Sequence, residues 1–364
     1  MLLVGLLIAM ATACSDAAAN DRPTGGVESL EQVVRAPRLP AKLPAASRLG
    51  PTIPGLENDA FPQGLAYLPD QDWFLISLYH RKKKEKVPDA AFVVAVDCKT
   101  ERVTRCRRLK DENGRPHAGH VGGIAVHGTS LWIASGADMY RMPVEAIVAG
   151  EKDDEATIAK VFRPVSNASF VACHERVLWV GNFYKKATPE NSRRGEPSLT
   201  RSNGEPVRGV LAGYPLDRHG DLEEGARSDQ KMVPKFVISL PEKVQGVTFH
   251  QDTILVSTSY GRSRNSKLLA LPNPLTERVE RPSDHVTFSS GEQRPLWFLP
   301  TPKQSDAVKL ITLPPMAEGI AVRNETLAIL FESGATQYRS SSSAWLDRLV
   351  YLPLADVVDN AAAP

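Results

Sequence analysis

Residues 243-261 read KVQGVTFHQDTILVSTSYG, and close variants of this phrase recur along the chain. Residues 61-79 read FPQGLAYLPDQDWFLISLY, 120-138 HVGGIAVHGTSLWIASGAD, 168-184 ASFVACHERVLWVGNFY and 316-334 MAEGIAVRNETLAILFESG. Each copy has a small or polar lead-in, a short apolar run, a turn and a second apolar run. Runs of this length, bounded by turn residues, read as strands rather than helices. In the first three copies Trp73, Trp132 and Trp179 take matching places on the second run. A third strand follows each copy: AFVVAVD, DMYRMPV, GVLAGYPL, SKLLALP and DRLVYLPL. A fourth follows most of them: RVTRCRRL, AKVFRPV, KFVISLP and VKLITLP.

A lone four-stranded antiparallel sheet leaves both faces wet. Several such sheets arranged radially bury their faces against each other and keep only short edges. The sequence therefore predicts an all-β fold, a β-propeller of four-stranded antiparallel blades. Five blades are expected. Six is the competing count, because residues 275-310 hold extra strand-like material. The last unit lacks a fourth strand of its own, and SRLGPTIPGL ahead of the first unit is expected to supply it and close the ring.

The propeller is expected over residues 46-356, with a disordered tail at 357-364. Residues 1-19 read as a signal peptide, too short for a comfortable membrane span. ATAC resembles a lipobox with Cys14 as the lipidated residue; the alternative is plain secretion with cleavage near Ala13 or Ala19. Residues 20-45 read as a flexible arm or tether, with 25-36 as a short helix outside the ring. The expected location is outside the cytoplasm, as a periplasmic, membrane-anchored or secreted monomer that meets a membrane only through a lipid anchor. In an oxidising compartment Cys98 and Cys106, flanking KTERVTR, are a candidate disulfide; two free thiols are the alternative. Cys173 reads as a buried apolar residue.

In a propeller the start of each first strand and the end of each second strand meet at one mouth of the central channel. From first-strand starts come Gln63, His120, Gln245 and Glu318. From second-strand ends come Ser77, Tyr79, His80, Asp138, Asn182, Tyr184, Ser257, Ser259, Tyr260 and Glu332, with Arg262 just beyond. Gln63, Tyr79, His80, Asn182, Tyr184, Gln245, Ser259, Tyr260 and Arg262 are the candidate ligand-binding residues. Glu318 and Glu332 belong to one hairpin. As near neighbours they share a proton, hold a cation or take a basic partner. With Asn182 they form a candidate site for Ca²⁺ or another divalent cation. His117 and His120 are candidate proton carriers and Glu332 a candidate catalytic carboxylate, the bland alternative being a solvated rim.

Lys+Arg number 44 against 42 Asp+Glu, so bulk charge gives no argument for nucleic acid. The loops from second to third strand are nonetheless basic: HRKKKEK (80-86), residues 184-209, GRSRNSK (261-267) and QYRSSSSAW (337-345). They predict a positive face for an anionic small molecule, an acidic glycan or an envelope protein. No G-x-S-x-G elbow, P-loop, dinucleotide fingerprint, EF-hand, HExxH or zinc spacing is present.

The repeat pattern over residues 60-354 resembles bacterial exported propellers of the SMP-30/gluconolactonase, strictosidine-synthase-like and NHL types. That resemblance implies a central divalent metal held by acidic and amide side chains. EGIAV would carry Glu318 over as a ligand, Asn182 as an amide ligand, and Asp138 as a candidate third. Two functions follow as expectations: a binding propeller, or a metal-dependent lactonase or esterase. Whether the protein is an enzyme stays open at this point.

Overall fold

The computed structural model describes residues 43-80, 90-186, 199-223, 231-276, 282-300 and 309-358. Its strands follow the repeat. After β1 (Arg48–Thr52), the first sheet holds β2 (Ala60–Leu68), β3 (Trp73–His80), β4 (Ala90–Asp97) and β5 (Val103–Lys110). The second holds β6 (Val121–His127), β7 (Ser130–Ser135), β8 (Asp138–Pro143) and, beyond helix α1 (Glu145–Val148) and β9 (Asp153–Thr157), β10 (Ala159–Phe162). The third holds β11 (Phe170–His174), β12 (Val177–Gly181), β14 (Val210–Pro215) and β15 (Phe236–Ser239), with short β13 (Leu199–Arg201) at its far edge. The fourth holds β16 (Val244–His250), β17 (Thr253–Thr258), β18 (Ser266–Pro272) and, beyond β19 (Asp284–Phe288) and β20 (Gln293–Phe298), β21 (Lys309–Leu313). The fifth holds β22 (Ala317–Arg323), β23 (Thr326–Phe331) and β24 (Arg348–Pro353), with α2 (Thr336–Arg339) between the last two and α3 (Leu354–Val357) after them.

These five sheets form a β-propeller. The innermost strands adjoin in a closed cycle, β2 to β6 to β11 to β16 to β22 and back to β2. β1 pairs antiparallel with β24, so the segment ahead of the first repeat does close the last blade. The core is divided into layers between neighbouring blades. Each first-to-second-strand turn carries a residue with positive φ, among them Asp72, Gly128, Gln251 and Asn324, as tight hairpins require.

The glycine in the repeated phrase has a steric cause. A Cβ on Gly64 would stand 2.7 Å from Gly123 Cα, and one on Gly123 would stand 2.7 Å from Phe170 Cα. One on Gly246 would stand 2.9 Å from the Glu318 carbonyl, and one on Gly319 would stand 2.5 Å from the Leu65 nitrogen. The inner strands approach too closely for side chains there, which makes the ring narrow.

The extra strand material does not form a sixth blade. β20 lies parallel to β15, and β19 pairs with β20 and β13, so the insertion extends the third sheet. The second blade uses the same device, sending β9 parallel onto β5 of the first. Buried Arg107 fastens that crossing: its guanidinium donates to the carbonyls of Ala146, Ile147, Ala149, Glu151 and Lys152.

Cys98 and Cys106 are free, a correction to the expected bridge. Cys106 pairs with Val94, so Cys98 lies four residues further along, about 13 Å at strand rise, beyond disulfide reach. Cys173 is half-buried, and burial raises its thiol pKa as expected of an inert residue.

Candidate functional site

The channel mouth is built on a repeated irregularity. The pairing of first and second strands slips between Pro62 and Gly64, Val121 and Gly123, Val244 and Gly246, and Ala317 and Ile320. A bulge leaves one side chain outside the ladder and re-aims it. The residues left out are Gln63, Gly122, Gln245, and Glu318 with Gly319. Three of the four bulges therefore bring an amide or a carboxyl to the same end of the ring. The third blade keeps regular pairing from Phe170 onward.

Glu332 follows the end of β23. Gln63 Nε2 donates to Glu332 Oε1 at 3.0 Å, and Gln245 Nε2 donates to Glu318 Oε1 at 3.2 Å. Gln63, Glu318 and Glu332 are all buried. Burial, and then the charge of Glu332, push the Glu318 carboxyl well above the usual range. Burial pushes Glu332 up to about 8, against the Gln63 hydrogen bond and the Arg262 charge. At neutral pH the pair therefore retains protons that exposed carboxyls would have lost.

Tyr338 and Arg262 border this floor. The Arg262 guanidinium stacks over the Tyr338 ring at 4.3 Å, and Nη1 donates to Ser341 Oγ at 3.1 Å. Burial, and then the Glu332 charge, raise the Tyr338 hydroxyl to about 12. An aromatic row continues outward: Tyr338 to Phe61 at 5.1 Å, Phe61 to Tyr79 at 5.1 Å, Tyr79 to His120 at 4.5 Å. Sequence reasoning missed Phe61 and Tyr338 as members of the site. Tyr338 sits on α2, inside a stretch singled out only for its charge.

The remaining candidates divide. His120 is exposed and lies two residues before the bulge; Gly122 takes the place assigned to it. His117 Nε2 bonds Ser135 Oγ at 2.9 Å, and burial lowers its pKa. Ser135 ends β7, whereas Ser77 and Ser257 lie within their second strands, opposite Gly64 and Gly246. Ser77 Oγ donates to the Val121 carbonyl at 2.9 Å and Ser257 Oγ to the Glu318 carbonyl at 2.6 Å, tying adjacent blades. His80 is buried at the end of β3. Ser259 is buried and accepts from Ser266 Oγ at 3.0 Å.

Asn182 is committed to the backbone, which removes it from the expected ligand set. Its Nδ2 donates to the Arg208 carbonyl at 2.9 Å and its Oδ1 accepts from Val210 N at 2.8 Å. Asp138 is paired with Lys160 and Arg163. Tyr260 is 42% exposed, with Lys185 Nζ 2.8 Å from its hydroxyl, while the Tyr184 carbonyl accepts from Lys243 N. Cys14, the leader, the arm to residue 42, residues 359-364 and the basic stretches 81-86 and 187-198 lie outside the described residues.

Two carboxyls and two turnable amides offer only oxygen ligands, a set that fits a hard cation such as Ca²⁺ rather than zinc. Among the described residues no group of three or more His, Cys, Asp or Glu is arranged to hold a metal ion.

No protein-family model matches the chain, and no curated protein is similar to it in sequence. The gluconolactonase-like and NHL-type resemblance thus gains no support beyond the propeller itself. Among solved structures, a putative oxidoreductase (glucose dehydrogenase) of Thermus thermophilus is similar at a TM-score of 0.37 and 12% identity, over 84% of this chain and 98% of that one. A glucose dehydrogenase is similar at 0.41 and 11%, over 84% of this chain and 86% of its own. Another is similar at 0.41 and 12%, over 81% and 83%. Likeness at this level carries no argument about chemistry.

Proposed function

We propose that this protein is a small-molecule-binding propeller whose ligand site is the channel mouth, and that the site takes a divalent cation together with an anionic ligand. The observation that carries the reading is the pair Glu318 and Glu332, buried beside Gln245 and Gln63 and below Arg262. Buried carboxyls with raised pKa values are poised to exchange a proton for a cation. Glu318 and Glu332 would hold the cation, with the Gln63 and Gln245 amides turned to present oxygen. Arg262, Lys185 and Lys243 on the rim favour a ligand carboxylate or phosphate.

A metal-dependent lactonase or esterase is the second reading, favoured by the same pair. A cation held there would supply Lewis acidity to a carbonyl. This chain's own contribution would be binding by Arg262 and the aromatic row, with exposed His120 beside Tyr79 as the candidate proton carrier. Export and anchoring through Cys14 belong to the reading as proposals. A Cys14→Ser variant that stays with the membrane fraction would count against the anchor.

Thermal unfolding tests the site. Ca²⁺ is expected to raise the Tm of the EDTA-treated chain at pH 8, by mass action on the folded state, and Glu318→Gln to remove the response. An unchanged Tm with Ca²⁺, Mg²⁺ and Zn²⁺ alike would exclude cation binding.

A further inference from the structure

The end of the propeller opposite the mouth holds a cleft of about 770 Å³ between the third and fourth blades. Mouth residues stand at first-strand starts. Cleft residues stand at first-strand ends and their turns: His174 at the end of β11 with Glu175 and Arg176 after it, and Gln251 and Asp252 after β16. The volume falls within the roughly 300–1,000 Å³ of small-molecule sites.

The insertion of the fourth blade builds one wall. Because β20 lies on β15 with Ile238 opposite Trp297, the indole of Trp297 reaches the cleft beside Phe236. Phe236 stands 6.3 Å from Trp297 and 6.0 Å from Trp179, ring centre to ring centre. His174 stacks flat on Phe249 at 4.6 Å, and burial lowers its pKa, so it faces the cleft as a neutral ring.

Asn273 is 8% exposed and lines the cleft. Its Oδ1 accepts from Leu275 N at 3.1 Å, whereas its Nδ2 makes no hydrogen bond to any described residue. That donor is open to the cleft, where it is available to a ligand hydroxyl. Glu175, Glu223 and Asp252 are offset by Arg176 and Lys235, so the lining has no dominant sign and does not select an ion.

Half-buried aromatic faces, an unspent amide donor and flanking carboxylates match a ring with an apolar face and a hydroxylated edge. We infer that this cleft is a second binding site and that it takes a neutral saccharide of one or two rings. The sugar lies on Trp297 and Phe236, and its hydroxyls meet Asn273 Nδ2 and the carboxylates of Glu223 and Asp252.

The test uses maltose, cellobiose and N,N′-diacetylchitobiose as probes, followed by tryptophan fluorescence and saturation-transfer NMR on the full chain. At least one disaccharide is expected to bind in the millimolar range. Trp297→Ala and Asn273→Ala are each expected to weaken it by about tenfold or more. Both are checked for native circular dichroism, and if one fails to fold the other decides. Glu318→Gln at the far mouth leaves saccharide binding unchanged, so failure here is separate from failure of the mouth site. No binding of any of the three sugars, binding that survives both cleft variants, or binding of indole in place of sugars would overturn the inference.

Discussion

Glu318 and Glu332 cannot both be anions at the end of an apolar ring without a counter-charge, and this sets how the protein answers to pH. The Glu332 carboxyl is raised to about 8, so between its ordinary value of 4.5 and 8 the folded state holds a proton that the unfolded chain has released. Stability is full below 4.5 and is lost as pH rises through that window. We expect the chain to lose about 2 kcal/mol or more between pH 5 and pH 9 in EDTA, and Glu332→Gln to flatten the loss. Chemical unfolding at a series of pH values measures it, and a wild-type profile rising toward pH 9 would contradict the assignment. The carboxyl pair was legible because EGIAVRNETLAILFE reads plainly as a hairpin with a Glu near each end. Tyr338 and Phe61 were not legible. One sits in a loop helix and the other ahead of the bulge, and only the closure of the ring brings them to Glu332.

At the scale of single strands, the repeated glycine marks where backbones nearly touch. Gly123→Ala places a methyl against the Phe170 backbone, which has no flexible end to move aside. We expect a loss of about 2–4 kcal/mol, against under about 1 kcal/mol for Gly114→Ala, where a Cβ meets nothing within 4 Å but φ is positive. Equal losses at the two positions would show that the ring is looser than described. The strands themselves were readable from alternating apolar runs and turn residues. The bulges were not, because the inner strands are buried on both faces and read as near-continuous apolar runs, in which an inserted residue inverts no visible alternation. The sequence offers His120 as the polar residue at the start of the second repeat, whereas the residue left out of the ladder there is Gly122. The strands β19 and β20 looked like the start of another blade for a similar reason: local pattern shows that a strand exists, and only long-range pairing decides which sheet it joins.

Across the whole molecule, the ring depends on the seam where the last blade meets the first. β1 completes the fifth sheet, and Arg323 grips Asp72 with two hydrogen bonds of 2.7 and 2.8 Å. Arg348 adds a bond to Glu101 at 3.0 Å across the same seam. The Arg323 hydrogen bonds hold the Asp72 carboxyl down at about 2, so the stability this pair contributes is present above the usual 3.8 and is lost as pH falls toward 2. Arg323→Ala is expected to cost about 2 kcal/mol at pH 7 and much less at pH 2. A cost independent of pH would assign the loss to packing instead. Closure by the N-terminal segment was legible in the missing fourth strand of the last unit, whereas the Asp72–Arg323 grip joins residues that no local pattern connects. A closed ring is also what places Gln63 of the first blade beside Glu332 of the fifth, so the site exists only when the seam does. The most direct measurement is therefore a calorimetric Ca²⁺ titration of the full chain at pH 6 and pH 8.5, in buffers of different ionisation enthalpy. The carboxyl pair predicts tighter binding at pH 8.5, net proton release at pH 6, and no binding in Glu318→Gln. Absence of binding at both values, or binding that is indifferent to pH and survives the substitution, would contradict it.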